Sequence, residues 1–194
     1  MSELVSPDSQ MDSQIISYGK KLLLDDNNIL KKRLTFKLNH DQIMDGSTGL
    51  KPTGIYCLKI VENVIDYVFS KLGINLEILQ YSIKTKNTSE KYEIDWHVDD
   101  YQLINKNSKE QLDGNYQSIS NNETLYTPNT APKYSVIYFH SESNNDFTDG
   151  TLEFVDNTVI KPEKGLAVFF DSKEVYKLNK ITSGVGIYTL LKFY

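Results

Sequence analysis

Histidine is scarce in this chain, with three among 194 residues. One of them opens His97-Val98-Asp99, inside the stretch IDWHVDDY that runs from Ile94 to Tyr101. In an extended strand, residues two apart share a face. Asp95, His97 and Asp99 then point one way, and Trp96 and Val98 the other. An imidazole and a carboxylate on one face can supply two of the three ligands of a facial Fe(II) site. The same two residues can equally be solvated or paired side chains on a half-exposed strand, because H-x-D often arises by chance. Two ligands do not make a catalytic metal site, so the chemistry turns on what the rest of the chain brings beside them.

The elements that would have to position these residues begin with a polar, acidic stretch. Residues 1–9 read as a loose tail. Ser13–Leu24, SQIISYGKKLLL, has a helical period with Ile15, Ile16, Leu22 and Leu23 as candidate core contacts. Arg33–Asn39 alternates Leu34, Phe36 and Leu38 on one face and reads as a strand, and Asp45–Gly54 reads as a loop. Ile55–Gly73 is the strongest helix, with Leu58, Val61, Ile65, Val68 and Leu72 at threes and fours and Gly73 as its stop. Seven strand-like runs follow: Asn75–Lys84, Lys91–Asp99, Lys133–Glu142, Gly150–Val155, Gly165–Asp171, Val175–Ile181 and Gly186–Tyr194. Between them, residues 101–130 form a long polar insert rich in Asn and Ser, of the kind often used as a lid. The pattern predicts an α+β chain: a helical and strand support region over 10–74, then a β-sandwich or barrel over 75–194.

Composition narrows the function. Net charge is −5 and the pI is near 5.2, which argues against a nucleic-acid partner. A single cysteine, Cys57, excludes an internal disulfide framework and a thiolate zinc site. No apolar leader or membrane span is legible. The expectation is a soluble, intracellular and cytoplasmic chain.

The order of motifs after His97 carries a resemblance. YSVIYFH (Tyr134–His140), FTDGTLEF (Phe147–Phe154), IKPEKGLAVFF (Ile160–Phe170), YKLNKITSG (Tyr176–Gly184) and GIYTLLKFY (Gly186–Tyr194) follow one another at characteristic spacing. Together with H-x-D they resemble the Fe(II)- and 2-oxoglutarate-dependent oxygenases of the prolyl-hydroxylase-like branch. That branch runs Y-x-x-x-Y-L-N, F-x-G-G-x-L-x-F, P-x-x-G-x-x-x-x-F, H-x-V-x-x-V-x-x-G and R-Y-x-L-x-x-W. The resemblance spans roughly the last three-fifths of the chain. It implies a double-stranded β-helix (jelly-roll) core with N-terminal supporting helices. It also implies Fe(II), 2-oxoglutarate as co-substrate, and hydroxylation of a peptide or protein.

Two positions depart from the pattern. The family's third ligand, a histidine, falls on Tyr176, and its 2-oxoglutarate arginine falls on Gly186. The candidate metal set is therefore His97, Asp99 and Tyr176. A phenol must lose a proton of pKa about 10 to ligate well, and it favours ferric over ferrous iron. A buried dicarboxylate with no cation costs about 3–5 kcal/mol. Lys192 lies six residues from Gly186 along a strand, about 20 Å, too far for a direct exchange. Tyr138 and His140 share a strand face, Tyr138 in a slot where prolyl hydroxylases hold the co-substrate carboxylate. They and Tyr92 are the candidate cofactor contacts, while Tyr81 fits pocket lining or core packing. Three readings stay open: an oxygenase with an altered third ligand, a degenerate oxygenase fold that binds a protein or peptide partner, and a small β-barrel binding module with no metal.

Overall fold

A computed structural model of the chain describes residues 33–47, 54–88, 94–99, 116–117, 124–126 and 132–194. Alternating apolar residues build two antiparallel sheets that face each other. The larger sheet runs in the order β1 (Leu34–Lys37), β10 (Leu166–Asp171), β6 (Tyr134–Phe139), β12 (Ile181–Phe193), β2 (Ile78–Asn87), with β7 (Phe147–Asp149) paired to the start of β12. The smaller sheet is β3 (Ile94–His97), β11 (Tyr176–Leu178), β8 (Leu152–Phe154), β9 (Val159–Ile160). A further pair, β4 (Tyr116–Gln117) with β5 (Thr124–Tyr126), lies within the 101–130 insert, which is therefore not wholly irregular.

Period-two alternation sorts the side chains of the larger sheet into two layers. Ile137, Phe139, Val168, Phe170 and Tyr188 point inward and meet Leu152, Phe154, Tyr176 and Leu178 of the smaller sheet. Val136, Tyr138, Ala167, Phe169, Leu191 and Phe193 point outward and are covered by helix α2 (Gly54–Leu72), which follows the short helix α1 (His40–Ile43). Burial in these two layers is the main driving force holding the sheets and helix together.

Several boundaries differ from the sequence reading. The strand expected over Val175–Ile181 is interrupted: β11 ends at Leu178 and β12 starts at Ile181, five residues before the expected Gly186. Gly184 permits this early start. Its φ is +80°, and a Cβ there would lie 2.2 Å from the Asp146 carbonyl oxygen, so only glycine fits. The expected helix is present over Gly54–Leu72, but its buried face is Cys57, Ile60, Val61, Val64 and Val68. Of the positions read as its core stripe, Val61 and Val68 are buried, Ile65 is half-buried, and Leu58 and Leu72 are exposed. Helix α2 carries two apolar stripes, and periodicity alone does not say which one the sheet takes. The tail over 1–9, the helix expected over Ser13–Leu24 and Tyr92 lie outside the described residues.

Candidate functional site

Strand pairing brings the candidate ligands together. Tyr176 of β11 is the Cα partner of His97 on β3, and their rings lie 4.2 Å apart. β3 ends at His97, so Asp99 sits just past the strand, held by its backbone N–H donating to the Ser172 carbonyl at 3.0 Å. From there its carboxylate turns inward. The Tyr176 hydroxyl donates to Asp99 Oδ2 at 3.2 Å.

The other carboxylate oxygen has a cation on it. Lys192 Nζ lies 3.1 Å from Asp99 Oδ1, with side-chain exposures of 6% and 1%. Lys192 reaches this point because Tyr188, Leu190 and Lys192 are the inward positions of β12, and Lys192 lies across from Ser135 of β6. Ser135 hydrogen-bonds Asp99 as well, and its hydroxyl is 3.0 Å from that of Ser172. Burial by itself pushes the Asp99 carboxyl up, but the Lys192 ammonium, then His97, then the Ser135 hydrogen bond outweigh it and hold it below the ordinary value. Asp99 is thus a buried carboxylate already given its counter-charge by the protein. The sequence does show Lys192, at the last position of the R-Y-x-L-x-x-W pattern. Its route to Asp99 depends on the β12–β6 register and on the approach of the second sheet, which no local pattern encodes.

The position of the family's arginine is also closed. A Cβ on Gly186 would stand 2.8 Å from Ile181 Cδ1 and 3.6 Å from the Phe147 ring. Across from Gly186 on β2, Lys86 is buried, and its ammonium donates to the carbonyls of Leu178 at 2.6 Å and Asn179 at 2.7 Å. A small cavity between these groups is lined by Lys86, Phe139, Phe147, Ile181, Gly186 and Tyr188, among others.

Tyr138 and His140 are placed elsewhere. Tyr138 belongs to the helix-covered layer, on the opposite face of the sheet from Asp99 and Tyr176. Its hydroxyl shares a 2.8 Å hydrogen bond with His40 Nδ1. His140 Nε2 shares one of 2.7 Å with the Thr189 hydroxyl, while the buried Nδ1 has no hydrogen-bond partner among the described residues. Burial, then the nearby His40, press the His140 pKa down to about 3. Burial and Asp41 push the Tyr138 phenol up. Strand alternation explains the difference from the sequence reading: Tyr138 and His140 do share a face, but it is the one under α2. Tyr81 is 43% exposed and lines neither core.

The fold has a counterpart of known structure. A prolyl-4-hydroxylase from Pseudomonas putida aligns over 92% of this chain and 93% of its own, with TM-score 0.50 and 13% identity. A 2-oxoglutarate–Fe(II) oxygenase-family oxidoreductase from Burkholderia pseudomallei aligns over 71% of this chain and 57% of its own, with TM-score 0.47 and 10% identity. The viral collagen prolyl hydroxylase of Paramecium bursaria Chlorella virus-1, in its 2-oxoglutarate complex, aligns over 100% and 92%, with TM-score 0.43 and 14% identity. No protein-family model matches the sequence, and no curated protein does. The chain has the β-rich jelly-roll fold of the Pseudomonas enzyme.

The sequence resemblance implies iron and 2-oxoglutarate, and the described residues do not fit them. Among the described residues, no group of three or more His, Cys, Asp or Glu side chains could hold a metal ion. His97 and Asp99 converge, but the third donor is a phenol that spends its proton on Asp99. A dication within about 4 Å of the Lys192 ammonium would meet a repulsion of about 8 kcal/mol at an effective dielectric of about 20. The co-substrate carboxylate finds no arginine at Gly186, and Ile181 and Phe147 fill the space beside it.

Proposed function

We propose that this protein is a non-catalytic member of the jelly-roll oxygenase fold that binds a peptide or protein partner. The observation that carries this reading is the Lys192 ammonium on Asp99, with the Tyr176 hydroxyl on the other carboxylate oxygen. In this arrangement the protein itself supplies the positive charge that a metal would otherwise bring to a buried aspartate. A peptide or protein partner is the class this reading favours, because the protein of the same fold is a prolyl-4-hydroxylase. Among the described residues no helix is long and apolar enough to cross a membrane.

A 2-oxoglutarate-dependent hydroxylase with His97, Asp99 and Tyr176 on Fe(II) is the competing reading. Its support is that these three side chains meet. An anaerobic titration separates the two. The protein is mixed with Fe(II), 2-oxoglutarate is added to millimolar concentration, and the visible metal-to-ligand charge-transfer band is followed, with Co(II) calorimetry in parallel. The expected result is no band and no saturable heat. A band that is lost in His97→Ala would overturn the non-catalytic reading.

A further inference from the structure

The exposed apolar residues of helix α2 follow a heptad. Ile55, Leu58, Phe69 and Leu72 are 68%, 53%, 52% and 38% exposed, and Ile65 is half-buried. Together with the exposed Glu62 they form one row, in steps of three, four, three, four and three residues. That is the a/d spacing of a helix that packs against another helix along a single seam. Single exposed apolar residues are ordinary, but large ones at five of six seam positions mark a surface that something covers.

The row reads the same in both directions, which points to a second copy of this chain as the occupant. A two-fold axis at right angles to the helix, between Asn63 and Val64, sets a partner α2 antiparallel to the first. Ile55 then meets Leu72 of the partner, Leu58 meets Phe69 of the partner, and Ile65 meets Glu62 of the partner. The residues just after Leu58 and Ile65, on one flank of the seam, are Lys59 and Asp66. In an antiparallel pair this flank faces its own copy. Lys59 lies within two residues of Asp66 of the partner, about 3 Å along the axis, and symmetry makes the pairing twice. A parallel pair would instead set both charges against the other flank, which is Val61 and Val68, buried on the sheet.

The fold leaves room for the second helix. Tyr67, on the opposite flank of α2, stacks on Phe36 of β1. The start of the stripe adjoins β2 instead, where a Cβ on Gly54 would stand 3.6 Å from the Tyr81 hydroxyl. β1 and β2 are the two ends of the larger sheet among the described strands, so the stripe overhangs the end at β2. At about 200 Å² for a large side chain, the exposed fractions of Ile55, Leu58, Phe69, Leu72 and Tyr81 amount to about 500 Å² per copy. A stable interface takes about 800 Å² per partner, and Lys59, Glu62 and Asp66 bring the contact toward that figure. Glu62 puts a carboxylate on the seam, and a polar seam residue fixes register at a cost in stability.

We infer that the chain forms a weak symmetrical dimer, with α2 antiparallel to α2 of the partner and Lys59 of each copy beside Asp66 of the other. The inference rests on the helix surface and is independent of the metal question.

Sedimentation of the full-length protein tests it. A reversible monomer–dimer equilibrium is expected between about 1 and about 500 µM, as befits a contact of this area. Phe69→Glu should hold the protein monomeric throughout that range with its melting temperature retained. Glu62→Leu, which completes the seam, should tighten the dimer by about tenfold or more. Lys59→Glu should weaken it by about threefold or more, because the pair occurs twice. Adding Asp66→Lys to Lys59→Glu should restore it. Lys59 and Asp66 are seven residues apart in one helix, about 10 Å, so that rescue reports contact between copies. Four results overturn the inference: a wild type that stays monomeric throughout, a dimer that survives Phe69→Glu, a dimer that Glu62→Leu does not tighten, or a charge exchange that restores nothing.

Discussion

Replacing Lys192 with methionine removes the ammonium and keeps most of the side chain's volume. Asp99 is then a carboxylate at 1% side-chain exposure, with His97, the Tyr176 hydroxyl and Ser135 as its remaining neighbours of note. Breaking one partner of a buried pair costs about 3–5 kcal/mol, because the other charge stays desolvated. For a chain of this length each kcal/mol moves the melting temperature by about 2–4 °C, so Lys192→Met should lower it by about 6–20 °C. Urea unfolding gives the free energy directly, provided the slope is unchanged. Asp99→Asn combined with Lys192→Met should recover most of the loss, since neither buried charge remains. The double-mutant cycle then returns a coupling of about 3 kcal/mol, at the upper end for directly interacting residues. A loss under about 1 kcal/mol, as expected of a solvent-exposed pair, would refute the reasoning. Asp99 would then draw its compensation from another source, and a bound metal would be the first to test.

The remaining predictions follow from the same geometry. Tyr176→His with Lys192→Met supplies an imidazole as third donor and removes the competing ammonium, so it should bind Co(II) by calorimetry where the wild type does not. Gly186→Arg, which restores the family's residue alone, should destabilise the protein by about 1–3 kcal/mol through overpacking against Ile181 and Phe147, and should confer no 2-oxoglutarate binding. His140 is held neutral in the fold with a pKa of about 3, whereas the unfolded chain protonates it near pH 6.5. The unfolded state then binds more protons between those values. Stability from this group is complete above about pH 6.5 and falls by about 1.4 kcal/mol per pH unit on acidification. The urea midpoint of His140→Gln should fall less steeply with acid, by one proton, between pH 6 and pH 4; parallel curves would refute it.

What the sequence by itself determined is local and periodic. Alternation fixed most of the strands, the 3.6 period fixed α2, and the order of motifs after His97 pointed to the jelly roll. The pairing of His97 with Asp99 was suggested by their separation of two residues, but the strand ends at His97 and Asp99 reaches the site from just past it. The closed arginine site was half-legible: Gly186 shows the missing cation, but not that Ile181 and Phe147 fill the space. Tyr138 and His140 share a face in the sequence pattern, but only the sheet's position between α2 and the second sheet decided that this face looks away from Asp99. The stripe of α2 that meets the sheet was likewise undetermined, because both stripes are apolar and the choice belongs to the partner surface. Lys192 is the sharpest case. Its place on an inward strand position follows from alternation, yet its bond to Asp99, 93 residues away in the chain, exists only once β12 pairs with β6 and the two sheets close over each other. Desolvation of both charges happens at that moment and nowhere earlier, so tertiary structure alone turned a candidate metal ligand into one half of a buried ion pair.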